Sequence, residues 1–187
     1  VLAKMSNRDW NRQTEAQKDS TRQALRVAYG LPSTERIYVT TGKNDFYKFN
    51  EVYPSLSRGV AAFERYGVDP WYAQAILLIE SPAQMRKSST GAYGAFQLMP
   101  SVARSQGLIV NSETDERKDF ERSAYGAAQL IRKICIPEAK KILAAHQITY
   151  NESDMWFRLF VLHVYHAGAM NVAAVVNKIQ PTEGSQE

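Results

Sequence analysis

Cysteine is almost absent from this 187-residue chain: Cys135 stands alone. No intrachain disulfide can form, and a zinc site built on cysteine pairs is excluded. Histidine is scarce as well, with His146, His163 and His166 only. The last two share one helical segment, but no acidic residue stands beside them, so neither a metal nor any other cofactor is expected. Long apolar runs are missing too. The best stretch, Leu159 to Met170, is interrupted by His163 and His166 and falls short of the roughly 18 residues a membrane helix needs. A transmembrane segment is therefore not expected, while a lipid anchor stays open. The sequence opens at Val1 without an initiator Met or an apolar signal segment, which reads as a processed or truncated product and leaves export open.

What is present is ordinary for a globular protein, with 44% hydrophobic and 22% charged residues, which excludes disorder and collagen. The net charge of +4 is unevenly spread, because residues 1–49 hold nine basic and five acidic side chains and the remainder fourteen of each. That asymmetry marks residues 1–50 as an N-terminal extension of unknown role, ahead of a domain over 51–187. A charge of +4 tolerates an anionic polymer without demanding one, and nucleic acid is not an expected partner.

Residues 4–28 are polar, with sparse apolar points at Trp10, Ala16, Leu25 and Val27, and suggest one or two helices. Arg36 to Phe49 reads as a short hairpin or an irregular loop. From residue 55 the pattern is helical: 56–66, then a helix opened by Asp69 and Pro70 and running to Glu80, then 100–106, 119–135, 137–146 opened by Pro137, 151–166 capped by Asn151, and 170–178. The fold class is mainly α, with a helical or irregular extension and a small hairpin. Trp71, Leu78, Leu130, Ile134 and Leu162 are expected in the core, and Cys135, flanked by Ile131, Ile134 and Ile136, as a buried thiol.

Glu80 ends a helix that is apolar all round. A carboxylate there meets desolvation and the negative end of the helix dipole, and both raise its pKa toward that of a proton donor near neutrality. The plainer alternative is an acid that leaves the helix into solvent or pairs with Arg86 or Lys87. Downstream, residues 88–100 read SSTGAYGAFQLMP. Gly91 and Gly94 permit tight turns and close backbone approach, Gln97 offers donors and an acceptor to a sugar, Phe96 and Met99 offer apolar surface, and Pro100 opens a helix. Tyr165, His166, Ala167 and Gly168 break a helix pair with a tyrosine at the junction.

These blocks resemble the soluble lytic transglycosylases, bacterial enzymes of the lysozyme-like superfamily that cleave peptidoglycan. The resemblance rests on Tyr66 to Pro70 with the helix ending in Glu80 and Ser81, on GAYGAFQLMP at 91–100, and on YHAG at 165–168, with Asp119 to Leu130 as the helix between. It spans residues 56 to 178. It implies Glu80 as the sole general acid and base, and Ser81, Ser89, Gln97, Met99, Tyr165 and His166 as the substrate-binding set. His166 stands where the family has Asn, and Pro82 and Ala83 replace a small residue and an aromatic. The implied reaction cleaves the β-1,4 bond between N-acetylmuramic acid and N-acetylglucosamine with closure of a 1,6-anhydro ring. The implied setting is the bacterial cell envelope, with peptidoglycan strands as partner; oligomeric state is not readable. The alternatives are a goose-lysozyme-like hydrolase with Asp115 or Asp119 as second acid, and a degenerate glycan-binding module.

Overall fold

The computed structural model describes residues 2–39, 49–79, 85, 87, 88 and 90–184. The chain divides into two compact units, Val1–Asn44 and Asp45–Glu187, and each is described by itself. The candidate hairpin over 36–49 lies for the most part outside the described residues.

In the first unit, α1 (Asn7–Arg12) is capped by Ser6, whose side chain accepts from the Asp9 amide. α2 (Glu15–Ala28) begins at a reciprocal capping box, in which the Thr14 hydroxyl accepts from the Gln17 amide and the Gln17 side chain accepts from the Thr14 amide. Such a box satisfies two donors that the first helical turn leaves unpaired. No side chain of α2 is buried. In place of a core, Lys18 and Arg22 lie over the Trp10 ring at 5.8 and 5.4 Å, and each is tied to an acid three residues back, Glu15 and Asp19.

The second unit is helical throughout its main elements. α3 (Phe49–Arg65) turns back through Gly67 into α4 (Pro70–Ile79). Asp69 accepts from the Trp71 amide at 2.9 Å, and Pro70 sits where a missing N–H costs nothing. α5 (Pro100–Ser105) is short. It is followed by a 3-10 turn at Glu116–Lys118 and by α6 (Phe120–Leu130), which is capped by Asp119. α7 (Ile136–Ala145), α8 (Met155–Ala167) and α9 (Ala169–Ile179) complete the unit.

Three local expectations need correction. The segments 119–135 and 137–146 are not separate helices, because α6 runs into α7 through a π turn at Ile131–Cys135 in which the Ile136 amide donates to the Ile131 carbonyl. Pro137 supplies no amide donor, and its ring needs room behind residue 133; a widened turn provides that room. The widened turn also changes which residues face inward. Ile131 and Cys135 are buried, while Ile134 is 43% exposed. Of the remaining predicted core residues Leu162 is buried, whereas Trp71, Leu78 and Leu130 are half-buried. Finally, Asn151 does not cap α8. Its side chain accepts from the Ser153 amide and hydroxyl, a local turn that competes with helix, and α8 begins only after Asp154.

The core gathers Phe63 of α3, Ile76 and Leu77 of α4, Ala127 and Ala128 of α6, and Phe157 and Val161 of α8, all fully buried. Burial pushes the Cys135 thiol up to about 12, so it packs as a small apolar group. Phe96, from the loop before α5, is part of the same core: its ring stacks on Phe63 at 5.7 Å and leans on Phe120 at 5.6 Å. One aromatic side chain therefore plugs the motif loop into the helical scaffold. No helix among the described residues is long and apolar enough to cross a membrane.

Candidate active site

Ahead of α5 the described backbone makes two successive turns. The Ser88 amide donates to the Ala92 carbonyl at 2.8 Å, and Tyr93 and Leu98 exchange backbone hydrogen bonds at 3.1 and 3.2 Å around the turn Gly94–Gln97. Gly94 and Gln97 both adopt positive φ, at 86° and 49°. The left-handed conformation is easy for the glycine and strained for the glutamine. Gln97 offsets its strain locally, since its Nε2 donates to the Gly94 carbonyl at 2.8 Å.

What fixes this turn from outside is Arg117, a charged residue only 4% exposed. Its Nε and one terminal nitrogen donate to the two carboxylate oxygens of Asp115 at 2.8 and 2.7 Å. The other terminal nitrogen donates to the Gly91 and Leu98 carbonyls at 2.9 and 3.0 Å. A buried guanidinium is tolerable only when paired and hydrogen-bonded in this way. The arrangement also explains Gly94: a Cβ there would sit 2.2 Å from the Arg117 carbonyl oxygen. Two loops thus meet backbone to backbone, and no larger residue fits.

The turn forms one wall of a cleft of about 320 Å³. Gln97, Met99 and Thr90 line it from the loop, and Tyr165 and His166 from the end of α8. Leu98, Val102 and Leu130 give it an apolar floor. The Tyr165 hydroxyl donates to the Phe96 carbonyl at 2.6 Å, joining two parts of the chain that are 69 residues apart in sequence. His166 stands edge-on to the Tyr165 ring, 6.1 Å between centroids. Gly168, at φ 80°, then ends α8 and opens α9. Met99, 38% exposed, occupies the N-cap position of α5. A second cavity of about 310 Å³, bounded by Trp156, Phe160, His163 and Val176, contains none of the residues assigned to catalysis or substrate binding from sequence.

Of the sequence-derived site residues, then, the fold brings together Gln97, Met99, Tyr165 and His166. Glu80, Ser81 and Ser89 lie outside the described residues, as do Pro82, Ala83 and Arg86; α4 ends at Ile79, one position before Glu80. Thr90 and Arg117 were not anticipated. Thr90 shares a hydroxyl–hydroxyl hydrogen bond of 2.9 Å with Ser88. The signal for Arg117 was Gly94 itself, whose freedom suggested close backbone approach without naming the partner.

Asp115, Glu116 and Asp119, in or beside the neighbouring loop, are engaged. Hydrogen bonds from Arg117 hold the Asp115 carboxyl below the ordinary carboxylate range, against the opposing effect of burial. Glu116 is held down in the same way by Arg122, at 3.0 Å. Asp119 caps α6 by accepting from the Arg122 amide at 2.7 Å. Among the described residues no group of His, Cys, Asp and Glu is arranged to hold a metal ion.

Two outcomes are expected. Gly94→Ala combines a strained φ with a backbone clash, each worth about 1–3 kcal/mol, so chemical denaturation should register a loss of at least about 2 kcal/mol. Because Asp115 has a lowered carboxyl pKa when folded, its contribution is complete above the ordinary value of about 3.9 and is lost as pH falls through the folded-state value. Thermal unfolding between pH 7 and pH 2 should show Asp115→Asn starting lower than the wild type at neutral pH and losing less on acidification. Parallel pH profiles for the two proteins would contradict that assignment.

No curated protein and no solved structure matches the chain. A family model described as the transglycosylase SLT domain matches residues 60–184, a span that runs from within α3 past α9 and contains the whole cleft. The chain belongs to the transglycosylase SLT domain family.

Proposed function

We propose that the cleft binds peptidoglycan glycan strands in the bacterial cell envelope and that the protein is a lytic transglycosylase, cleaving the bond between N-acetylmuramic acid and N-acetylglucosamine without consuming water. The observation that carries this reading is the convergence of Gln97 and Met99 with Tyr165 and His166 in one cleft, within a chain of the SLT family. Amide, hydroxyl and imidazole groups above an apolar floor suit a sugar, which presents hydroxyls at its rim and C–H surface on its faces.

In this reading Glu80 is the one catalytic acid. Its carboxylic acid gives a proton to the glycosidic oxygen as the bond from that oxygen to the muramyl C1 breaks. The 2-acetamido oxygen of the same sugar stabilises the cation developing at C1. The Glu80 carboxylate then removes the proton of the C6 hydroxyl, O6 bonds to C1 to close the 1,6-anhydro ring, and the carboxylic acid is regenerated. Two-acid glycosidases place a second carboxylate to act as nucleophile or to activate water. Here the acids that a hydrolase would recruit are held otherwise: Asp115 by Arg117, and Asp119 as the cap of α6. Their engagement supports the single-acid route over the hydrolase alternative.

Digestion of purified peptidoglycan should yield muramyl ends lighter by one water than hydrolytic ends, with no new reducing termini, as read by mass spectrometry. Glu80→Gln retains shape but cannot deliver a proton, so turnover should drop by about a hundredfold to ten-thousandfold while glycan binding persists. Reducing ends among the products would favour the hydrolase, and binding without cleavage by the wild type would favour the glycan-binding module.

A further inference from the structure

The cleft-lining groups of the motif loop are presented by a turn whose shape is set elsewhere in the chain. Resting on the glycan-cleaving reading above, we propose that Arg117 is a positioning residue for substrate: oriented by Asp115, its guanidinium clamps the Gly91 and Leu98 carbonyls, one on either side of the turn, and so fixes where Gln97 and Met99 meet the glycan.

Four features of the geometry support this. The clamp reaches either side of the turn, with one terminal nitrogen on both carbonyls, so releasing it loosens the segment at two points at once. Leu98 also accepts from the Tyr93 amide at 3.1 Å, which makes its carbonyl a shared node of the turn and the clamp. The Arg117 backbone abuts Gly94, leaving the turn no room to move toward the 110–118 loop. Finally, Arg117 and Asp115 are absent from the cleft lining, so their influence on substrate passes through the turn. Lysine cannot replace this arrangement, because a single ammonium lacks the planar fork that serves a carboxylate and two carbonyls together.

The test compares wild type, Arg117→Lys and Arg117→Met for steady-state cleavage of purified peptidoglycan and for amide hydrogen exchange. With the turn released, KM should rise by about tenfold or more in Arg117→Met while kcat per folded molecule stays within about threefold, and Arg117→Lys should fall between. A residue that only supports folding would leave KM unchanged and lower activity in proportion to the folded fraction; that result overturns the proposal. Arg117→Met leaves Asp115 without its partner, so if it does not fold, Arg117→Lys carries the test through exchange. The Tyr93, Gln97 and Leu98 amides should exchange about tenfold faster or more, with α6 and α8 amides unchanged. Unchanged exchange at those three amides also overturns the clamp. The exchange arm is independent of turnover. A wild type that neither cuts nor binds glycan therefore removes the functional reading, and is distinguished from a clamp that fails on its own terms.

Discussion

Everything on the loop side of the cleft depends on one buried charge being fully satisfied. Arg117 is taken out of water, a cost of several kcal/mol for an ion of its size, and the fold offsets it with the bidentate Asp115 pair and two backbone carbonyls. Because those carbonyls belong to Gly91 and Leu98, satisfying the charge and shaping the motif turn are the same event. Tyr93 adds its ring 5.8 Å from the guanidinium. Gly94 is then compelled by contact with the Arg117 carbonyl, and Gln97 is carried into a conformation it would not choose alone.

The helical scaffold meets this turn at two further points, both on Phe96. Its side chain is held between Phe63 and Phe120, and its carbonyl receives the Tyr165 hydroxyl. Behind the cleft floor, Gly126 of α6 admits the Leu98 and Leu108 side chains to distances that a Cβ would block. The α6–α7 rod keeps its continuity across Pro137 only through the π turn, which buries Ile131 and Cys135 in the same core. A rigid support of this kind favours binding, since groups already oriented lose little freedom when a ligand arrives.

The legibility of this protein in its sequence follows the range of the interactions involved. Local signals carried through well: the Asp69–Pro70 start of α4, Pro100 opening α5, the helix break at Gly168 and the largely helical class. The two motif blocks that form the cleft were readable as well, because each is contiguous. What failed depended on partners distant in sequence or on a competing local geometry. Ile134 was expected inside by ordinary helical phase and is turned out by the π turn. Asn151 looked like a cap and makes a turn ahead of the helix instead. Arg117 lay in a polar loop, where an arginine is ordinarily a solvated charge, and nothing nearby indicated that it would be buried against carbonyls 19 and 26 residues away. Asp115, weighed with Asp119 as a second acid in the hydrolase alternative, is its counter-ion.

The claim that joins these parts is that a glycan lies in the cleft shared by the motif turn and the end of α8. Isotope-labelled Glu80→Gln, titrated with an oligomer of N-acetylglucosamine and followed by amide chemical shifts, addresses it residue by residue. The account predicts saturable shifts at Thr90, Gln97, Met99 and His166, with Trp156 and Phe160 of the second cavity unmoved. Shifts confined to that second cavity, or no saturable shifts at all, would contradict it.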